Sequence, residues 1–201
     1  MRIILAAILG TLVVFAWGAV SWTVLDLWSD DLRDLPKADV LMPEIRANID
    51  QPGAYVFPPM PVISDDVAPE REEQLLEAWA EASRQGPTGV LLVRPDGVDP
   101  GRPSMFLFGL LLEFGGALLL AVVLSTAARA GHGPVGRIAI GAAIVGFAVI
   151  SGVLVPSNFM VHPSGWVRAM TGDLAVGWGL ATLVIALLVK SPVRGGRHAR
   201  S

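Results

Sequence analysis

The residue best suited to chemistry in this chain is Glu113, because it interrupts the long apolar run 105–128. As a helix this run is long enough to cross a bilayer core of about 30 Å. A carboxylate inside such a span is costly, so it marks either a function or a structural contact. Gly109, Gly116 and Ala117 lie three or four residues away and place Glu113 on a stripe of small residues. Since membrane helices approach closely along such stripes, Glu113 is predicted to face other helices.

Three residues of the other apolar runs are expected at the same depth as Glu113. Counting outward from the midpoint of each run gives Trp17, Trp178 and either Ile150 or Ser151, of which Ser151 is the polar candidate. A tryptophan far from the membrane interface carries an N–H that needs an acceptor, and a carboxylate is one. We therefore predict a buried polar cluster of these four side chains. It would bind a cation or exchange a proton, or it would only fix the register of the helices, which is the more common role.

A cavity around this cluster would open to the outer side of the membrane. Asn158, His162 and Arg168 are candidates to line its mouth, although a histidine and an arginine in a loop are also typical of a solvated surface pair. The chain has no cysteine, and all three of its histidines fall outside the apolar runs. Thiol chemistry is thus excluded, and haem between the helices is disfavoured. The sequence predicts no catalytic residue, no metal site and no cofactor, which argues against an enzyme.

Four apolar runs must position these residues. Hydrophobic residues make up 53% of the chain, and its mean hydropathy is +0.58. We predict transmembrane helices over 3–25, 105–128, 138–155 and 174–190, with Pro156 ending the third. The fold class is therefore membrane all-α, a four-transmembrane-helix bundle. The first run is long for a signal peptide and is interpreted as an uncleaved span, although a passable cleavage site follows it.

The charges predict an orientation in the membrane. The segment 26–104 carries sixteen acidic and seven basic residues, whereas nearly all remaining charges are basic. They flank the spans on one side and continue into the basic tail 191–201. The positive-inside rule places both termini in the cytoplasm and 26–104 outside it. An acidic exterior disfavours nucleic acid as a partner and leaves the lipid bilayer as the expected surroundings.

The extracytoplasmic segment 26–104 is predicted to be a small α+β insertion. Its clearest helix covers 69–84, with a proline and glutamates at its start and a glycine after its end. Short strands are predicted over 53–58 and 89–93, and they can pair in either direction.

The two strand segments, PGAYVFPPMP and GPTGVLLVRPDG, carry a resemblance. In this position between the first two spans, the chain resembles an uncharacterised family of bacterial four-span membrane proteins with an extracytoplasmic insertion. The resemblance implies a multi-pass protein of the bacterial inner membrane. It implies no activity, no cofactor and no functional residue.

Three functions follow as hypotheses. The first is a non-enzymatic accessory or interaction protein, whose acidic outer segment meets a membrane-protein partner or whose small-residue seams allow self-association. The alternative is a small-solute or proton-linked binding or transport protein that uses Glu113. A lipid-processing membrane enzyme is the third. Replacing Glu113 separates the first two, because only the second depends on that carboxyl group.

Overall fold

The computed structural model describes residues 1–189. The predictions for the end of the fourth span at Lys190 and for the basic tail 191–201 lie outside the described residues. The chain is mostly helical, at 68%, with four candidate membrane-spanning helices and a small two-stranded sheet. It divides into two compact units. The first contains Met1–Leu32, Pro100–Ser157 and the described residues from Pro163 onward, and the second contains Arg33–Asp99 and Asn158–His162.

The elements follow one another in a simple order. They are α1 (Arg2–Thr23), α2 (Ala38–Asn48), β1 (Gly53–Phe57), α3 (Pro69–Gln85), β2 (Gly89–Val93), α4 (Pro103–Arg129), α5 (Pro134–Val149), a π-helical turn (Ile150–Leu154), α6 (Val155–Phe159) and α7 (Ser164–Leu188).

Four helical stretches of the described chain are long and apolar enough to cross a membrane. They are α1, α4, α7 and the continuous stretch Pro134–Phe159, which joins α5, the π-helical turn and α6. Pro103 and Pro134 occupy the first positions of α4 and α5. Proline is favourable there, because the first N–H groups of a helix have no intrahelical acceptor.

The helix α7 begins at Ser164 and not at 174, where the sequence placed the start of the fourth span. Arg168 and Asp173 lower the local hydropathy and caused this error, but neither residue prevents a helical backbone. As a consequence, Asp173 lies in the third turn of α7, well inside the helix.

The prediction that Pro156 ends the third span is wrong, because the helix continues through it to Phe159. Proline lacks an N–H, and its ring collides with the carbonyl group four residues earlier. The wider π-helical turn directly before Pro156 relieves this conflict, and within it the Val155 N–H donates to the carbonyl of Ile150.

Small residues allow the helices of the first unit to pack closely at one end. The helix α1 packs against α4 and α7, and α5 packs against α7. Alanines fill these contacts with no exposed surface: Ala6, Ala7, Ala117, Ala121, Ala181 and Ala186. A Cβ atom at Gly141 would collide with the Thr182 side chain, and one at Gly10 would lie 2.6 Å from Ile185 Cδ1. We call this end of the bundle, toward Met1 and the turn between α4 and α5, the alanine half.

The second unit is a two-stranded sheet with helices. β1 and β2 pair antiparallel, with Gly53 opposite Val93 and Phe57 opposite Gly89, which decides the direction that the sequence left open. Helix α3 ends at Gly86, whose φ of +65° favours glycine. The Trp79 indole N–H donates to the carbonyl of Pro58 at 3.4 Å and fastens α3 to the end of β1.

Candidate functional site

A cavity of about 330 Å³ lies in the other half of the first unit, among α1, α4 and α7. Its volume is at the lower end of the range for small-molecule sites. It is lined by Val14, Trp17, Gly18, Trp22, Trp28, Glu113, Val153, Met170, Asp173, Leu174 and Trp178. We call it the acidic cavity, and this end of the bundle, toward Trp28 and the start of α7, the tryptophan half.

Two carboxyl groups, those of Glu113 and Asp173, share the acidic cavity. Outside the segment 26–104 they are the only two acidic residues in the whole sequence, and they come from different helices. Glu113 Oε2 and Asp173 Oδ1 are both buried without a hydrogen-bond partner among the described residues. No basic residue lines the cavity. The site therefore concentrates negative charge, or the capacity for it, with no counter-charge from the chain.

Tryptophans form the remaining wall of the acidic cavity. Trp22 stacks on Trp28 with ring centroids 4.9 Å apart, and Trp166 meets Trp28 edge-on at 5.2 Å. Trp17 and Trp178 line it as well, so five of the six tryptophans lie at or beside this cavity. The Trp28 side chain is only 7% exposed, and its indole nitrogen has no hydrogen-bond partner among residues 1–189.

Two glycines leave the space that the rings of Trp17 and Trp178 occupy. A Cβ atom at Gly116 would lie 2.5 Å from the Trp178 ring, and one at Gly177 would lie 2.8 Å from Trp17 Cδ1. Each indole ring therefore packs directly against the backbone of a neighbouring helix. The Trp17 N–H also donates to the backbone carbonyl of Asp173 at 3.1 Å, which holds α1 against α7.

The structure brings three of the four residues of the predicted cluster to one cavity, namely Trp17, Glu113 and Trp178. Ser151 does not line it. Its side chain is exposed, and its hydroxyl group donates to the Phe147 carbonyl at 2.7 Å. The expected bond from Trp17 to the Glu113 carboxyl group is replaced by the bond to the Asp173 carbonyl.

The three predicted mouth residues lie in different parts of the chain. Asn158 and His162 belong to the second unit, whereas Arg168 is an exposed residue of α7 in the first. Phe159, Met160 and Val161, which follow Asn158 in the chain, line a groove of the second unit together with Phe57 and Trp79.

Sequence reasoning missed Asp173, Trp22 and Trp28. Asp173 directly precedes the predicted span 174–190, and a carboxylate at the start of a helix is explained by the helix dipole alone. Trp22 and Trp28 lie near the end of the predicted span 3–25, where tryptophan is common at a membrane interface. A signal was nevertheless present, because the chain outside 26–104 contains only two carboxyl groups, and both fall near the same predicted end of the bundle.

A second cavity, of about 270 Å³, adjoins the acidic cavity. The two share Leu174 and Trp178 as lining residues. The second cavity lies among α4, α5 and α7, and apolar residues line it throughout: Gly116, Leu119, Leu120, Val123, Ile144, Val145, Ala148, Leu174 and Trp178. We call it the apolar cavity.

The function of the acidic cavity has to be inferred from its own residues. No protein-family model, curated protein or solved structure matches the chain. Within residues 1–189, no three His, Asp or Glu side chains converge in the way that metal ligation requires. The acidic cavity instead combines carboxyl oxygens with the faces of aromatic rings. This combination is suited to a positively charged organic group, since cations are attracted to indole faces.

Proposed function

We propose that this chain is an integral protein of the bacterial inner membrane that binds a small organic cation in the acidic cavity. The observation that carries the proposal is the meeting of Glu113 and Asp173. They are the only acidic residues outside 26–104, yet they line one cavity with buried and unpartnered carboxyl oxygens. Burying a charge without a partner is strongly unfavourable, and a bound cation supplies the missing partner.

The membrane arrangement is supported by the helices and by the charges. Four stretches are long and apolar enough to cross a bilayer. The excess of basic residues outside 26–104 favours cytoplasmic termini and an extracytoplasmic position for that segment. In this arrangement the tryptophan half is the outer half of the bundle, so the cation enters from outside the cytoplasm.

The aromatic wall explains why the cation is organic. An inorganic ion such as Na⁺ needs several oxygen ligands, whereas two carboxyl groups and four tryptophans are among the residues that line the acidic cavity. A methylated ammonium group is weakly hydrated and makes contact with several ring faces at once. Trp22, Trp28 and Trp178 present such rings in the cavity, and the unpartnered Trp28 N–H can donate to an oxygen atom carried by the ligand.

Tetramethylammonium is a suitable probe for testing this function. The full chain in lipid nanodiscs is titrated with tetramethylammonium chloride while tryptophan fluorescence is recorded, with sodium chloride at equal ionic strength as the reference. We expect a saturable change in wild type and at least about tenfold weaker binding in Glu113→Gln and in Asp173→Asn, because each removes one charge partner.

The matched control is Glu73→Gln, which removes an exposed carboxyl group from α3. Its titration should superimpose on that of the wild type. A wild-type protein without a saturable response, or equal affinity in wild type and Glu113→Gln, would overturn the proposed function.

An accessory role is the second candidate, and the strongly acidic segment 26–104 favours it. Its helix α3 presents several exposed glutamates to a basic partner surface, among them Glu70, Glu73 and Glu77. Crosslinking in native membranes separates the two roles. A specific crosslinked protein that is lost when these glutamates become lysines, but retained in Glu113→Gln, supports the accessory role.

A further inference from the structure

The apolar cavity suggests more about the ligand than its charge. It begins where the acidic cavity ends, because Leu174 and Trp178 line both. The Trp178 ring lies over the bare backbone of Gly116, which itself lines the apolar cavity. A molecule that lies along Leu174 and Trp178 would therefore place one end among the carboxyl groups of the acidic cavity and the other among the aliphatic side chains of the apolar cavity.

We propose that the ligand is a cationic amphiphile, an organic ammonium group that carries one aliphatic chain. This inference rests on the proposed function, since it places the ammonium group in the acidic cavity. The aliphatic chain passes Trp178 and lies in the apolar cavity, against Leu120, Val145 and Ala148. The indole of Trp178 contacts both parts of the ligand, with its face toward the ammonium group and the chain along its edge.

The packing of the helices explains why this space is available to a chain. Of the residues that line the apolar cavity, Val145 is buried, whereas Ile144 on α5 and Leu119 on α4 are exposed. Gly141 brings α5 against α7 one turn earlier, at Thr182, whereas on the α4 side Val123 lines both the apolar cavity and a further apolar groove of about 360 Å³. An aliphatic chain fills a dry, apolar space of this kind without leaving any polar group unsatisfied.

Two labelled ligands with the same charged group test the inference. Tetramethylammonium and decyltrimethylammonium, both labelled at a methyl group, are equilibrated by dialysis with the full chain in nanodiscs, and protein-free nanodiscs correct for uptake by the bilayer. Since each buried methylene strengthens binding by roughly fourfold, we expect the decyl compound to bind at least about tenfold more tightly.

The variant Ala148→Leu fills the apolar cavity, because Ala148 lines it and does not line the acidic cavity. It should remove most of the advantage of the decyl compound and leave the affinity for tetramethylammonium within about twofold of wild type. The matched control is Ala142→Leu, which adds the same side chain at an exposed position of α5 and should change neither affinity.

The outcomes distinguish this inference from the function on which it rests. If neither compound binds above protein-free nanodiscs, the proposed function fails. If both bind with equal affinity, and Glu113→Gln weakens both, the function stands and the aliphatic chain is rejected. If Ala148→Leu and Ala142→Leu weaken the decyl compound equally, the apolar cavity does not hold the chain and the inference is overturned.

Discussion

The alanine half and the tryptophan half of the bundle use the same four helix stretches for opposite purposes. In the alanine half, Ala6, Ala117 and Ala186 have no exposed surface, and α1, α4 and α7 pack closely along them, while a groove of about 360 Å³ lies between α4 and α5. In the tryptophan half, large rings of α1 and α7 line a cavity of about 330 Å³. The difference shows that side-chain size decides where α1, α4 and α7 keep an open space between them.

The two halves also differ in the kind of polar atom that they bury without a hydrogen-bond partner among residues 1–189. In the alanine half, these atoms are the Thr182 hydroxyl oxygen and the Arg137 Nε. In the tryptophan half, they include one carboxyl oxygen each of Glu113 and Asp173, which share a cavity. In the proposed membrane setting, close helix packing stabilises the bundle, because lipid offers no hydrophobic driving force between helices. We infer that the alanine half stabilises the bundle and the tryptophan half carries its function.

The largest expected effect comes from Gly141→Ala, which adds a methyl group where the alanine half is tightest. Its Cβ atom would collide with the side chain of Thr182, which is only 1% exposed and cannot move aside. Overpacking of this kind lowers the free energy of unfolding by about 1–3 kcal/mol. Reversible unfolding of the protein in mixed micelles, followed by circular dichroism, measures this loss.

Gly146→Ala provides the control for that experiment on the same helix. A Cβ atom at Gly146 would meet no atom within 4 Å, so the added methyl group should leave stability unchanged or raise it slightly. If Gly141→Ala and Gly146→Ala unfold at the same denaturant concentration, the alanine half is not the tightly packed region described above.

A smaller effect of the opposite sign is expected for Asp173→Asn in the absence of ligand. The substitution removes one of the two carboxyl groups from the acidic cavity and keeps the backbone carbonyl that accepts the Trp17 N–H. Stability should rise by about 1 kcal/mol, because an unpartnered carboxyl group is costlier to bury than a neutral amide. A decrease in stability of the same size would show that Asp173 stabilises the bundle. The tryptophan half would then serve stability, as the alanine half does.

The smallest effect is expected at Glu81, a carboxyl group whose charge is matched and which therefore contrasts with Glu113. The Arg84 side chain, 2.7 Å away, and the Gln85 amide lower the pKa of Glu81 below its ordinary value of 4.5. The pair thus stabilises the end of α3 above that pH, and its contribution is lost as the pH falls through the lowered pKa.

Carbon-13 chemical shifts of α3 in the full chain test this expectation. Glu81→Gln should slightly reduce the helicity of the last turn at neutral pH, and its difference from wild type should shrink as the pH falls below 4.5 and through the lowered pKa of Glu81. Glu73→Gln serves as the control. A difference between Glu81→Gln and wild type that is larger at pH 3 than at pH 7 would contradict the assignment.

The sequence predicted the elements better than it predicted their ends. The strand 89–93 and the helix 69–84 were found because glycine and proline mark their limits. The start of α7 was missed because hydropathy reports where a helix is apolar and not where it begins. Trp17, Glu113 and Trp178 were placed at the same depth by counting residues from the midpoint of each apolar run, and the structure brings all three to one cavity. Depth along a helix does not fix the direction in which a side chain faces.

Ser151 shows where that counting fails. It lies in the π-helical turn Ile150–Leu154, and its exposed side chain does not line the acidic cavity. Asp173 and Trp28 were missed for a different reason. Each had an adequate local explanation, as a helix-dipole carboxylate and as an interface tryptophan, and only the packing of α1 against α7 brings them together.

The π-helical turn has a further consequence for how the chain tolerates changes in length. A π-helical turn holds one residue more than an α-helix needs for the same rotation. Val145 before the turn and Val153 near the end of the turn are both buried, although eight α-helical residues would rotate them apart by about 80°. Deleting one residue between 150 and 152 would therefore convert the turn to regular α-helix and leave Val153 and Ser157 facing the bundle. Inserting one residue there would rotate α6 away from it. Within the π-helical turn, the stretch Pro134–Phe159 should therefore tolerate the deletion of one residue but not the insertion of one.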